Sequence, residues 1–227
     1  MLNLLPQKKN ASNKPLLYKD ILDKKYHLMY LNASTQSGKT YSLTQLLLNY
    51  YIVPHSNQKI FIICPTVKMC ETWKGFIKLA SNFNQVILFE TVDKDTLGLI
   101  KEMRNKEPVS DYVDGCENII IIDDMSEKTR GTLLTGLTKK YRHWKSCMFI
   151  CSQAFMDLNP AAKAQLDCIS LWKGLNIRHL ENLHENLLGT FNMTFDDFMK
   201  MYNEMTDEKY SFMFIKIKNK EMKKGWI

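Results

Sequence analysis

The sequence predicts an α/β fold: a mostly parallel sheet with helices on both faces. Three observations predict it. Short, unbroken apolar runs at 60–64, 86–89, 119–122 and 147–151 alternate with stretches of helical spacing. Runs of this kind are strands buried on both faces of a parallel sheet. The run Ala33-Ser34-Thr35-Gln36-Ser37-Gly38-Lys39-Thr40 lies between an extended apolar stretch, 27–31, and a helical one, 41–51. Finally, the isoleucines at 119–122 close on Asp123-Asp124, which puts two carboxylates at the end of a buried strand, the edge where open α/β sheets bind ligands.

Taken in order, residues 1–19 are polar, carry Pro6 and Pro15, and are expected to form a loose arm ahead of one domain spanning 20–227. The strand 27–31 feeds the loop at 33–40 and its helix, and Pro54-His55-Ser56-Asn57 marks a turn. Strand 59–64 stops at Pro65; Met69–Leu79 has Trp73, Phe76 and Leu79 on one side of a helix. Strand 86–89, a helix over 91–103 and an Asp- and Gly-containing loop at 109–117 lead to the strand 118–124. A helix over 127–141 and the strand 147–151, ending in Ser152-Gln153, come next. A short helix at 161–166, a strand at 168–172, helices at 177–188 and 195–205 and a strand at 210–217 complete the alternation. The basic stretch 216–224 reads as a solvated end, with DNA contact as the minority reading. Trp73, Trp144 and Trp172 read as packing residues.

With 227 residues, 45% hydrophobic and 24% charged, the chain is long enough for a substantial core. The net charge of +7 suits a polyanionic partner, and it is carried almost wholly by lysine. The six cysteines form no C-x-x-C pair and sit mostly in apolar runs, as buried thiols of a reducing, intracellular protein would. No apolar run reaches the length of a membrane span, so no transmembrane segment is expected.

The chemistry lies in the two polar runs. Gly38-Lys39-Thr40 between strand and helix is a phosphate-binding loop, as in P-loop NTPases, with ATP and Mg²⁺ as the expected ligands. Backbone N–H groups across Ala33–Thr40 and the helix N-terminus would wrap the phosphates. Lys39 would reach the β- and γ-phosphates, and Thr40 would hold Mg²⁺. The usual first glycine is Ala33, so that corner must use an ordinary backbone conformation. Asp123 is the expected second Mg²⁺ anchor, and Asp124 the catalytic acid that orients and deprotonates water. Their adjacency at a strand end points the two side chains in opposite directions. In NTPases of this RecA/ASCE-type arrangement, a polar residue at the end of the following strand contacts the γ-phosphate or the lytic water, and here it is Gln153.

Taken together, Ala33–Thr40, Ile119–Asp124, Tyr141-Arg142-His143, Ser152-Gln153, Leu158-Asn159-Pro160, Phe195-Asp196-Asp197-Phe198, Tyr202 and Tyr210-Ser211-Phe212 resemble the genome-packaging ATPases of the FtsK–HerA superfamily. The likeness is to the poxvirus-type ATPases of large DNA viruses, virophages and polinton-like viruses, and covers about residues 25–217. It implies an ATP-driven homo-oligomeric ring that moves double-stranded DNA into a capsid or procapsid vertex. The implied location is the host-cell site of virion assembly, or the virion. Where the family tends to carry an arginine after Pro160, this chain has Lys163. A ring ATPase needs an arginine finger, and only Arg104, Arg130, Arg142 and Arg178 are present. The family's Arg-His pair falls on Arg142-His143; an arginine at a helix end that satisfies C-terminal carbonyls explains Arg142 as well.

Competing readings differ in what they require. A nucleotide kinase would need several arginines to clamp two sets of phosphates, and a two-lobed helicase would need a longer chain. A nucleotide-binding scaffold without turnover, or a translocase without a packaging role, stays open.

Overall fold

Among the described residues, eight strands form one sheet in the order β3-β2-β4-β5-β1-β6-β7-β8. They are β1 (Leu28–Asn32), β2 (Lys59–Ile63), β3 (Gln85–Phe89), β4 (Asn118–Asp123), β5 (Ser146–Ser152), β6 (Cys168–Trp172), β7 (Phe212–Lys216) and β8 (Glu221–Lys224). The computed structural model describes residues 22, 25–52, 58–82, 84–105, 116–124 and 132–226. The expected arm at 1–19, the turn at 54–57, most of the loop at 109–117 and the start of the helix at 127–141 lie outside them. The first six strands pair in parallel. Only β7 and β8 run antiparallel to their neighbours.

Burial follows from the unbroken apolar runs. β1, β4 and β5 are buried at every position, whereas the edge strands β3 and β8 are part-exposed. Because strand side chains alternate, each central strand feeds two cores. Met29, Leu31, Ile119, Ile121 and Phe149 meet α1 (Lys39–Leu46) and α2 (Glu71–Ala80) on one face. Leu28, Tyr30, Ile120, Ile122 and Ile150 meet the other face. That face is covered by α3 (Lys94–Asn105), α4 (Thr132–Lys140), α6 (Ile177–Leu183) and α7 (Phe195–Met205). The short α5 (Pro160–Lys163) is started by Asn159, whose side-chain oxygen accepts from Ala162 N at 2.8 Å.

Two expected helices are shorter than their apolar spacing suggests. α1 widens into a π-turn over Leu47–Ile52, and α6 into another over His184–Leu188. In both, an asparagine donates back to the carbonyl four residues earlier: Asn49 to Gln45 and Asn186 to Asn182. A side chain that takes this acceptor displaces the regular ladder bond.

The stretch 216–224 departs from expectation. It is not a free basic end: it turns and pairs with β7 as β8. Lys216 bonds Glu221 at 3.1 Å, and Lys224 reaches Asp207 at 2.7 Å. Trp226 then packs on Phe212 and Phe214, with ring centroids 4.5 and 5.4 Å away, and beside Trp172. The lysines concealed this strand because the apolar anchor comes only after them. Trp226→Ala should therefore lower stability by roughly 1.5–3 kcal/mol, less than the ~3–5 kcal/mol of a fully buried tryptophan. Urea unfolding measures it; a midpoint equal to wild type at unchanged slope contradicts the role given to this ring.

Candidate functional site

At the C-terminal edge of the parallel strands lies a cavity of about 780 Å³. It is bounded by residues 34–42 of the loop and first turn of α1, by Asp123 and Asp124 after β4, by Gln153 after β5, and by Trp73 and Tyr210. Sheet order explains the convergence. β5 lies between β1 and β4, so Gln153 emerges between the loop and the carboxylates.

The loop takes its shape from two left-handed residues, Gln36 at φ 60° and Gly38 at φ 85°. Gly38 is needed twice over. An added Cβ would strain this backbone and would stand 3.0 Å from Tyr210 Cδ1. Ala33 is not among the positive-φ residues; it is fully buried, and its N–H donates to the Ser152 carbonyl at 3.3 Å. The expectation of an ordinary conformation at Ala33 holds, but Ala33 does not line the cavity, whereas Ser34, Thr35, Gln36, Ser37, Gly38, Lys39 and Thr40 do. Ser37 Oγ is buried without a hydrogen-bond partner among the described residues, a polar atom beside a space that a polar ligand can fill.

Asp123 is buried and gathers three donors. Thr40 Oγ1 donates at 3.2 Å, Trp73 Nε1 at 3.0 Å, and Lys39 Nζ stands 3.7 Å from the other oxygen. Trp73 is thus both core, edge-on to Phe76, and part of the site, a polar role that helical spacing alone conceals. Burial, and then the nearby Asp123 carboxylate, push the thiol of Cys151, the residue that pairs with Asp123 across β4 and β5, well up from its ordinary value. Asp124 does not follow strand alternation. At φ 56° it turns out of β4, and both carboxylates line one cavity instead of facing opposite sides of the sheet.

The Thr40 hydroxyl and the Asp123 carboxylate form a pair of hard oxygen donors suited to Mg²⁺. Among the described residues no cluster of three or more His, Cys, Asp or Glu could hold a metal by itself. So small a set fits an ion completed by water and substrate phosphates.

Gln153 is exposed on a strap whose base is fixed. Ser152 Oγ donates to Asp157 Oδ2 at 2.6 Å and meets the Tyr30 hydroxyl at 3.0 Å, and Ala154 N donates to Ser152 Oγ at 3.2 Å. Burial raises the Tyr30 phenol far above its ordinary value, so it stays protonated. Sequence inspection missed this trio because its members are 122 and 5 residues apart.

Arg142 does not join the cavity of its own chain. It lies before β5, at the opposite sheet edge, where Nε donates to Tyr141 Oη at 2.8 Å and a terminal nitrogen to Asp167 at 3.2 Å. Lys163 sits with its ammonium 4.3 Å from the centre of the Phe155 ring. Arg178 is exposed on α6, Arg130 lies outside the described residues, and only the backbone of Arg104 is described.

No known family profile matches the chain. Uncharacterized protein 088R of Invertebrate iridescent virus 3 is 22% identical over 190 residues, 82% of this chain and 68% of that protein. The DNA-packaging ATPase B204 of Sulfolobus turreted icosahedral virus superposes with a TM-score of 0.62 at 13% identity. It covers 89% of this chain and 98% of its own. B204 of Sulfolobus turreted icosahedral virus 2, in complex with AMPPCP, gives 0.61 at 15% over the same shares. The cytoplasmic domain of the Type VII secretion ATPase EccC from Thermomonospora curvata gives 0.55 at 14%, over 97% of this chain and 28% of that one. These likenesses establish a P-loop NTPase fold.

The double need for glycine at 38 is measurable. Gly38→Ala should cost about 1–2 kcal/mol from left-handed backbone alone, plus the clash with Tyr210. Adding Tyr210→Asn should recover only the clash. Equal stability loss for Gly38→Ala in both backgrounds, measured by denaturant unfolding, would show that the two residues do not press on each other.

Proposed function

We propose that the protein is a Mg²⁺-dependent ATPase that moves double-stranded DNA into a viral capsid, acting as a ring of identical subunits. The observation that carries this reading is the convergence of Gly38-Lys39-Thr40, Asp123, Asp124 and Gln153 on one cavity. Likeness over 89% of the chain to B204, a viral DNA-packaging ATPase, supports the choice of cargo, as does the sequence resemblance. The net charge of +7, mostly lysine, supports contact with a phosphate backbone and not with base edges.

In this reading the loop and the N-terminus of α1 cradle the phosphates. Lys39 would exchange its contact with Asp123 for the β- and γ-phosphates, and Thr40 and Asp123 would hold Mg²⁺, which would supply charge neutralisation at the phosphates. Asp124 takes the proton of the attacking water as its oxygen bonds to the γ-phosphorus and the bridging oxygen departs with ADP. Gln153 orients that water or the γ-phosphate. The procapsid vertex as partner and the site of virion assembly as location belong to the same proposal.

Phosphate release, measured with and without long duplex DNA, tests it. Turnover should rise with DNA, vanish in Lys39→Ala, and stall in Asp124→Asn while ATP still binds. ATP binding with no turnover in any condition would instead describe a nucleotide-binding scaffold.

Arg142 is our candidate for the cation that one subunit offers to its neighbour's γ-phosphate. It must then exchange Asp167 for phosphate on assembly. Arg142→Ala and Lys39→Ala proteins should each be inactive, yet regain partial DNA-stimulated turnover when co-assembled, because some interfaces pair an intact loop with an intact arginine. If mixed assemblies stay inactive while wild-type mixtures work, Arg142 serves only its own chain's Asp167.

A further inference from the structure

Tyr210 is the most unusual residue at the cavity. It is bulky, 54% exposed, and held at φ 68°, a backbone region that large side chains avoid. Such strain persists only where surrounding contacts enforce it, and it concentrates at ligand sites. Here the enforcing contacts are visible. Ser211 donates twice to the Glu208 carbonyl, at 3.2 Å from its N–H and 2.7 Å from its hydroxyl. Lys224 of β8 grips Asp207 and Glu208 at 2.7 and 3.0 Å, and Lys173, after β6, donates to the Asp207 carbonyl at 3.1 Å. The turn is braced from β8 and from the residue that follows β6, and its outcome is an aromatic ring laid against Gly38 of the phosphate loop.

Sheet order gives the cavity two unlike ends. On one side of β1 lie β5 and β4, with Gln153, Asp123 and Asp124. On the other side lie β6 and β7, and Tyr210 closely precedes β7. Polar and charged groups therefore crowd one end, and a tyrosine face forms the other. Tyr41, 44% exposed, lines the same cavity from the first turn of α1. A ligand with a highly charged tail and a flat aromatic head matches both ends.

Resting on the phosphate-loop reading above, we propose that Tyr210 is the platform on which the nucleobase of the bound nucleotide stacks, with the γ-phosphate directed towards Asp123 and Gln153. Base–aromatic stacking needs only a π-face, so the site recognises a planar nucleobase without naming its edge. The strained turn keeps the ring in place before the ligand arrives and so lowers the ordering cost of binding.

Binding of ATP and of inorganic tripolyphosphate to the full chain separates the base from the phosphates. Tyr210→Asn keeps a residue that tolerates left-handed backbone and removes the ring; Tyr210→Phe keeps the ring. Tyr210→Asn should weaken ATP by roughly 10- to 100-fold and leave tripolyphosphate within about two-fold, while Tyr210→Phe binds both like wild type. Equal weakening of both ligands would mean that the ring merely shapes the loop, and unchanged ATP affinity would mean that it touches nothing; either overturns the platform alone. Wild-type protein that binds neither ligand overturns the phosphate-loop reading, and the platform with it.

Discussion

A carboxylate as deeply buried as that of Asp123 is tolerated only because donors surround it, and these donors come from different parts of the chain. Thr40 and Lys39 belong to the start of α1, and Trp73 to α2. Removing any one leaves a buried charge short of a partner, which costs more than the lost bond is worth. The loop, the second helix and β4 are therefore held in one arrangement by one side chain. That arrangement exists only because the isoleucines at 119–122 are buried on both faces and carry Asp123 to the sheet edge.

A second buried acid sits at the opposite edge, and the contrast separates structural acids from chemical ones. Asp167 accepts the N–H of Leu28 at 3.0 Å and the hydroxyl of Tyr141 at 2.7 Å, with Arg142 alongside. Burial, and then Asp167 itself, push the Tyr141 phenol far up, which keeps its proton available to the acid. This cluster pins the start of β1, whereas Asp123 holds the phosphate loop beyond the other end of that strand. Asp123 opens on a cavity; Asp167 is enclosed by protein donors. The helix-end reading of Arg142 is corrected by this: within its own chain the guanidinium bonds the Tyr141 hydroxyl and the buried Asp167 carboxylate, not the terminal carbonyls that its position suggested.

Much of this was legible in the residues. The parallel sheet announced itself because strands buried on both faces must be continuously apolar, and the loop because Gly38-Lys39-Thr40 stands between such a strand and a helix. Polar structure assembled across distance escaped. Trp73 looks like any core tryptophan until its indole N–H is placed beside Asp123. β8 was hidden by its lysines, since an edge strand can stay charged when a following Trp226 supplies the apolar contact. Asp124 was assigned the alternation of a strand it has already left, because a single positive φ cannot be read from neighbouring residue types.

The substitution of alanine for the first loop glycine is explained by the same sheet. Ala33 continues the line of β1: its N–H still pairs across to the Ser152 carbonyl, and its methyl lies in the core beside Leu31. The backbone turns only later, at Gln36 and Gly38, so the left-handed requirement has moved into the loop and position 33 is left with an ordinary strand-end geometry. Ser152 then has two tasks. Its carbonyl holds the entry to the phosphate loop, while its hydroxyl, bonded to Asp157 and Tyr30, holds the strap that carries Gln153. Loop and strap thus share one anchor, a single residue of β5.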